Sequence, residues 1–206
     1  MKVQSVLGCF DSNTFIVEHE NTILIIEAGA PLHDVLQVLG SKKPSAILLT
    51  HEHFDHVMHI ADYCKDFPDT RIYCHPATLE ELKTNKLNGL LGSHRGFKVK
   101  SPPDFDNFKV LGDNQSFDIG SFKITPIFCQ GHSAGSTVYL IGDALFSGDV
   151  LFSDTIGRTD LMPNGPELMQ SSLKRLADIK FEIAYHGHYE SSNYNEQQKN
   201  IRRFQR

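Results

Sequence analysis

Residues 50–56 read Thr50-His51-Glu52-His53-Phe54-Asp55-His56, directly after the run Ser45-Ala46-Ile47-Leu48-Leu49. That apolar run is short and continuous, which predicts a strand buried on both faces. In extended backbone, side chains two apart point the same way, so His51 and His53 can face one metal ion. Asp55 and His56 fall at the turn into a helix expected from about Asp55 to Cys64, and the change of backbone direction turns them toward a second ion. Ligand-type side chains crowded at the carboxyl end of a strand suit a metal site built from nitrogen and oxygen donors. A helix N-terminus with an aspartate cap and surface histidines accounts for Asp55, but not for the histidines around it.

Further ligand-type residues lie downstream, each beside a glycine just past an apolar strand. Gly131-His132-Ser133 follows Ser121–Cys129, Ser147-Gly148-Asp149 follows Ala144-Leu145-Phe146, and Gly187-His188 follows Glu182–Tyr185. Such positions sit at a sheet edge with backbone freedom. Singly each is an ordinary turn; together they complete two coordination shells.

Around these motifs, strands are expected at 2–8, 13–19, 22–28, 71–74, 108–112, 115–119, 121–129, 136–142 and 144–148, with a last one at 182–186. Helices are expected from Leu32 to Leu39, Pro76 to about Leu82, 166–177 and about Tyr194 to Phe204. Residues 85–106 have no clean period and read as a surface excursion or a lid. The order of elements suggests sheets packed on each other with helices outside. The chain's 206 residues suit a single domain spanning 1–206.

Composition narrows the function. The formal charge is -5, from 20 basic and 25 acidic residues, without a basic block. A footprint for nucleic acid or for an anionic membrane is therefore missing. The N-terminus has no long apolar run to make a signal peptide, and no stretch approaches the roughly 18 residues of a membrane span. Cys9, Cys64, Cys74 and Cys129 are far apart, as expected of reduced thiols in a cytoplasmic protein. The unusual number is 11 histidines.

With these motifs in hand, the sequence resembles the metallo-β-lactamase-fold hydrolases, and among them the glyoxalase II (hydroxyacylglutathione hydrolase) branch with its short single-domain relatives. The likeness is carried by the opening strands, the 50–56 motif, residues 131–136 (GHSAGS), 147–152 (SGDVLF), 156–161 (IGRTDL) and the final Gly187-His188. It implies an α/β (α+β) fold, a four-layer αββα sandwich of two mixed sheets with a metal centre at one edge. By position, His51, His53 and His132 would hold one ion, Asp55, His56 and His188 a second, and Asp149 would bridge them. Two divalent ions are implied, zinc first, with iron or manganese accepted by such donors.

The implied activity is hydrolysis of a small-molecule thioester, such as a hydroxyacyl thiol. A metal-bridging hydroxide would be the nucleophile, with Asp55 and Asp149 as the carboxylates at the reacting centre. One zinc lowers the pKa of bound water from about 15.7 to about 7, and a thiolate of pKa about 8.5 leaves with little protonation. Arg158 and Tyr189 are the expected substrate contacts. The alternatives are a persulfide dioxygenase, with one iron on His51 or His53, His132 and Asp149, and a lactonase.

The sequence also departs from the resemblance. Glu27 stands where relatives carry a supporting aspartate. Val57-Met58-His59 replaces the usual small residues, so that His59 is a candidate for the site, and His186 competes with His188 for the last ligand position. The chain stops at Arg206 without the helical extension that gives glyoxalase II its basic contacts to glutathione. Its last helix, with Lys199, Arg202 and Arg203, is expected to pack on the domain.

Overall fold

In a computed structural model, which describes residues 1–84 and 98–205, two six-stranded sheets lie face to face. The first runs in the order β1 (Lys2–Leu7), β2 (Asn13–His19), β3 (Thr22–Ile26), β4 (Ala46–Leu48), β5 (Arg71–Cys74) and β6 (Phe108–Val110). Its first three strands are antiparallel and those from β3 onward are parallel. The second contains β7 (Phe117–Ile119), β8 (Phe122–Phe128), β9 (Thr137–Ile141), β10 (Ala144–Gly148), β11 (Ile183–His186) and β12 (Ser192–Asn193). It is antiparallel except where β10 meets β11. Helices α1 (Leu32–Leu39), α2 (Phe54–Val57), α3 (Ile60–Asp66) and α4 (Pro76–Thr84) cover the outside of the first sheet. Helices α5 (Gly165–Ala177) and α6 (Tyr194–Phe204) cover the second.

The layering follows from side-chain alternation. In β2 to β4, Phe15, Val17, Leu24, Ile26, Ala46 and Leu48 point inward against Ile124, Tyr139, Ile141 and Phe146 of the second sheet. The intervening Ile16, Ile23, Ile25 and Ile47 point outward against Val35, Leu39, Ile60 and Tyr63 of the helices. A strand covered on both faces is apolar along its length, which is why residues 23–26 read as an unbroken run and β3 is buried throughout. The expected αββα sandwich is the observed one.

One expected element differs. The helix foreseen from about Asp55 to Cys64 is two helices, α2 and α3, broken at His59 (φ -106°, ψ 12°). The His59 N–H donates to Ala28 O at 2.9 Å, while Ala28 N–H donates to His56 O at 2.9 Å. The loop after β3 thus takes backbone bonds that a continuous helix would have kept. Of the excursion expected over 85–106, residues 98–106 form neither helix nor strand, and 85–97 lie outside the described residues. No helix among the described residues is long and apolar enough to cross a membrane.

The two sheets are tied together at the edge where β4, β8 and β10 end. Thr137 N–H donates to Thr50 O at 2.8 Å, joining the start of β9 to the loop leaving β4. Tyr139, fully buried, donates its hydroxyl to Leu49 O at 2.7 Å. Tyr139→Phe leaves that carbonyl without its buried donor and should cost about 1–2 kcal/mol, read from urea unfolding midpoints at unchanged slope.

Candidate metal centre

Because β8, β10 and β11 run parallel to one another, the loops leaving them emerge at one edge, beside the loop leaving β4. Loops at the carboxyl ends of strands are the usual place for a site in such sheets. The residues singled out in the sequence meet there. Donor atoms of His51, His53 and His132 all lie within 4.8 Å of one another, as do those of Asp55, His56 and His188.

Each ring is aimed by what its other nitrogen touches. His51 Nδ1 lies 3.0 Å from Thr50 Oγ1, leaving Nε2 buried with no hydrogen-bond partner. His132 Nδ1 lies 3.0 Å from Arg158 O, so its N–H faces that carbonyl and Nε2 faces His53 Nδ1 at 2.8 Å. In the second group His56 Nε2 and His188 Nε2 are 3.3 Å apart, and His188 Nε2 is 3.3 Å from Asp55 Oδ2. Ring nitrogens facing one another need a proton or a cation between them. Donors on a tetrahedral zinc, at bonds of about 2.0–2.1 Å, sit about 3.3–3.4 Å apart. The donor types and their spacing therefore fit the implied ions.

Asp149 lies between the groups. Its Oδ1 is 3.3 Å from His56 Nε2, and its Oδ2 is 3.5 Å from both His132 Nε2 and His188 Nε2. Electrostatics divides the two groups. Burial, reinforced by neighbouring His132, pushes His53 down to about 3. Burial likewise pushes His51 well below the usual imidazole range and lowers His132. Burial also opposes charge on His56 and His188, but there the Asp149 and Asp55 carboxylates outweigh it, raising them to about 9 and about 10. Asp149 is held well below the usual carboxylate range against its burial by His56 and His188. The first group is thus neutral imidazole, the form that ligates a metal, and the second is an acidic site that demands positive charge.

Supporting residues complete the frame. Burial pushes Glu27 up to about 7, opposed by His56 and by the bonds from Thr50. Its Oε1 accepts from the Thr50 N–H at 3.1 Å and from the Thr50 hydroxyl, so it acts as a strut under the strand end. Glu27 also stands within reach of His51 and His56 donors, and its φ of +77° shows the backbone bent to bring it there. His186 is not in either group: its Nδ1 meets Ser147 Oγ and its Nε2 meets Ser192 Oγ, both at 2.8 Å. His59 faces Asp62 Oδ2 at 3.4 Å and joins neither group. His59→Ala should leave the metal content of purified protein at its wild-type value; loss of an ion would place that ring in the centre.

Two residues escaped the sequence. Buried Glu52 accepts from Thr78 Oγ1 at 3.0 Å and from Gly135 N–H at 3.3 Å, tying the histidine motif to α4 and to the His132 loop. Asn13 donates Nδ2 to His186 O and Tyr189 O, both at 3.0 Å, clamping the turn that presents His188. Glu52 sits in the 50–56 motif without a ligand's spacing and Asn13 in no motif, and only their tertiary partners give them meaning. Of the two expected substrate contacts, Tyr189 is exposed beside the centre, its ring 6.2 Å from that of His188. Arg158 is on the surface in a two-pronged pair with Asp160, at 2.8 and 2.6 Å.

The layered sheets and the two donor groups at their shared edge define a metallo-hydrolase scaffold. A sequence profile of the metallo-beta-lactamase superfamily matches residues 7–188, and the chain belongs to that superfamily. It is 35% identical over 171 residues to the Bacillus subtilis (strain 168) protein named "Probable metallo-hydrolase YqgX", covering 81% of this chain and 79% of that one. It is 34% identical over 166 residues to a Yersinia pestis (strain Pestoides F) hydroxyacylglutathione hydrolase, over 80% of this chain but only 55% of that protein. Among solved structures, the B3 metallo-beta-lactamase BLEG-1 superposes with a TM-score of 0.85 at 27% identity, covering 98% of this chain and 99% of that one. TTHA1623 in a di-iron-bound form gives 0.82 at 27% identity, covering 97% and 98%.

Proposed function

We propose that this protein hydrolyses a small-molecule thioester with two divalent metal ions, zinc first, at the sandwich edge. His51, His53 and His132 hold one ion and Asp55, His56 and His188 the other, with Asp149 across both. The place of Asp149 carries this reading, because one carboxylate oxygen stands 3.5 Å from a donor of each group. The similarity to a hydroxyacylglutathione hydrolase supports the thioester, although the chain spans only about half of that protein. The di-iron form of TTHA1623 makes iron the alternative resident metal.

When bound, the ions supply Lewis acidity and a water whose pKa falls to about 7. The chain's own residues prepare the centre for that chemistry. Burial keeps the His53 and His132 rings neutral, so their lone pairs are free to ligate. The Arg158 carbonyl and the Thr50–Glu27 pair fix which nitrogen of His132 and His51 faces inward. The Asp55 and Asp149 carboxylates, held below their usual range, keep negative charge beside the second position, where a cation is favoured. Tyr189 walls the approach to His188. The four unpaired thiols suit a reducing compartment, and we place the protein in the cytoplasm.

A persulfide dioxygenase would use one iron on three residues. Convergence of the second group as close as the first argues for two ions. The test is metal analysis of protein purified without added metal, followed by thioester turnover with free-thiol detection in an oxygen electrode. About two ions per chain and thiol release without oxygen uptake are expected. One iron per chain with oxygen consumed and sulfite formed would overturn the reading.

A further inference from the structure

A cleft of about 770 Å³ opens beside the metal centre and includes His188 in its lining. That volume suits a whole small-molecule substrate. Its wall carries Leu7, Phe10 and Tyr189, which are 58%, 44% and 71% exposed. Large apolar side chains this exposed, gathered in one concavity, are unusual on a protein surface and mark a binding surface. The frame around them is held rather than loose. Asn13 fixes the Tyr189 carbonyl, and the Phe10 ring packs edge-on against Phe54 at 5.5 Å, next to Asp55.

Away from His188, the charge of the cleft is one-sided. Asp11 and Glu190 line it, and no Lys or Arg is among its described lining residues. The basic side chain expected at the substrate, Arg158, is engaged by Asp160 and does not line the cleft. Glutathione carries two carboxylates against one ammonium. In this cleft the basic group among the described lining residues is His188, which belongs to the metal centre, so carboxylates of a carrier extending beyond it would face Asp11 and Glu190, and like-charge juxtaposition selects against a partner.

We propose, building on the hydrolase reading, that this cleft seats the thiol portion of the substrate and selects an apolar carrier that is neutral or cationic. Leu7, Phe10 and Tyr189 bind its hydrocarbon part, and Asp11 and Glu190 are the specificity-determining residues that disfavour anionic carriers such as glutathione. The acyl carbonyl lies toward His188 and the metal centre, while the carrier extends along the apolar wall. Hydrolysis then breaks the carbon–sulfur bond, adds the elements of water, and releases the carboxylate and the free thiol.

The test compares lactoyl thioesters of glutathione, N-acetylcysteamine and thiocholine with metal-loaded full-length protein. They share an acyl group and differ in carrier charge. Wild-type kcat/KM should be lowest for the glutathione ester, by about tenfold or more against the thiocholine ester. Asp11→Lys with Glu190→Lys should shrink or invert that ratio by about tenfold or more, and added salt should narrow it in the wild type. A wild-type preference for the glutathione ester, or a ratio that does not move in the double variant, would overturn the proposal. Calorimetric titration of the corresponding non-hydrolysable thioethers reads the same order without turnover. Absence of turnover on all three esters would sink the hydrolase reading, while the thioether order still decides the cleft's charge preference. Thioethers that bind in the glutathione-first order, or equally, would reject it.

Discussion

Asp149→Ala should lose both metal ions and at least about 10³-fold in thioester hydrolysis, which is about 4 kcal/mol of transition-state stabilisation. The expectation follows from its position. Asp149 is the side chain within 3.5 Å of His132 in one group and of His56 and His188 in the other. Removing it takes a donor from each position at once and removes the charge that favours a cation beside His56 and His188. A residue that merely oriented another ligand would cost less, on the order of 10–100-fold in affinity. The check is metal content after extensive dialysis, with far-UV circular dichroism to show the sandwich intact. Retention of two tightly bound ions in the variant would remove Asp149 from the bridging position.

The legible and the illegible parts of this site differ in a physical way. The 50–56 motif is readable because its geometry is local. The chain leaving β4 brings His51 and His53 past the strand end, His53 in extended backbone, and the turn into α2 fixes Asp55 and His56. The strands read well where both faces are covered, so β3 and β4 appear as apolar runs bounded by turns. What failed to show is what depends on partners far away in sequence. Helical spacing from Asp55 to Cys64 gives no hint that Ala28 O will capture the His59 N–H and split the helix. The short turn at Cys9–Asp11 puts Phe10 and Asp11 at φ of +55° and +57°, a conformation their types do not advertise. Strand β12 is two residues long, too short to carry a period. His186 and His188 look alike as neighbours of Gly187, and only Ser147 and Ser192, which occupy both nitrogens of His186, tell them apart.

That same glycine supplies the second large expectation: Gly187→Ala should strip metal from the centre and reduce activity by at least about 100-fold while the fold survives. A Cβ at this position would lie 2.0 Å from Asp149 Oδ1, 2.9 Å from His56 Cε1 and 3.0 Å from Gly148 C. Real side chains do not approach so closely, so something must move. The Gly148 backbone is bound into the sheet edge, since Gly187 N–H donates to Gly148 O at 2.8 Å, and Asn13 N–H clamps Gly187 O at 2.7 Å. The freest of the three contacts is the Asp149 carboxylate, which would be driven from the place where it touches both groups. Backbone strain is not the cause, because Gly187 is absent from the positive-φ glycines, among which Gly148 has a φ of +50°. An alanine there is tolerated by the main chain and rejected by the site. Thermal unfolding of metal-free protein separates the two effects. The apo forms of wild type and variant should melt within a few degrees of each other, while only the wild type gains stability as zinc is added, as linkage requires for a ligand that binds the native state. An equal zinc-induced rise in both proteins would show that the glycine is not shaping the cradle around Asp149.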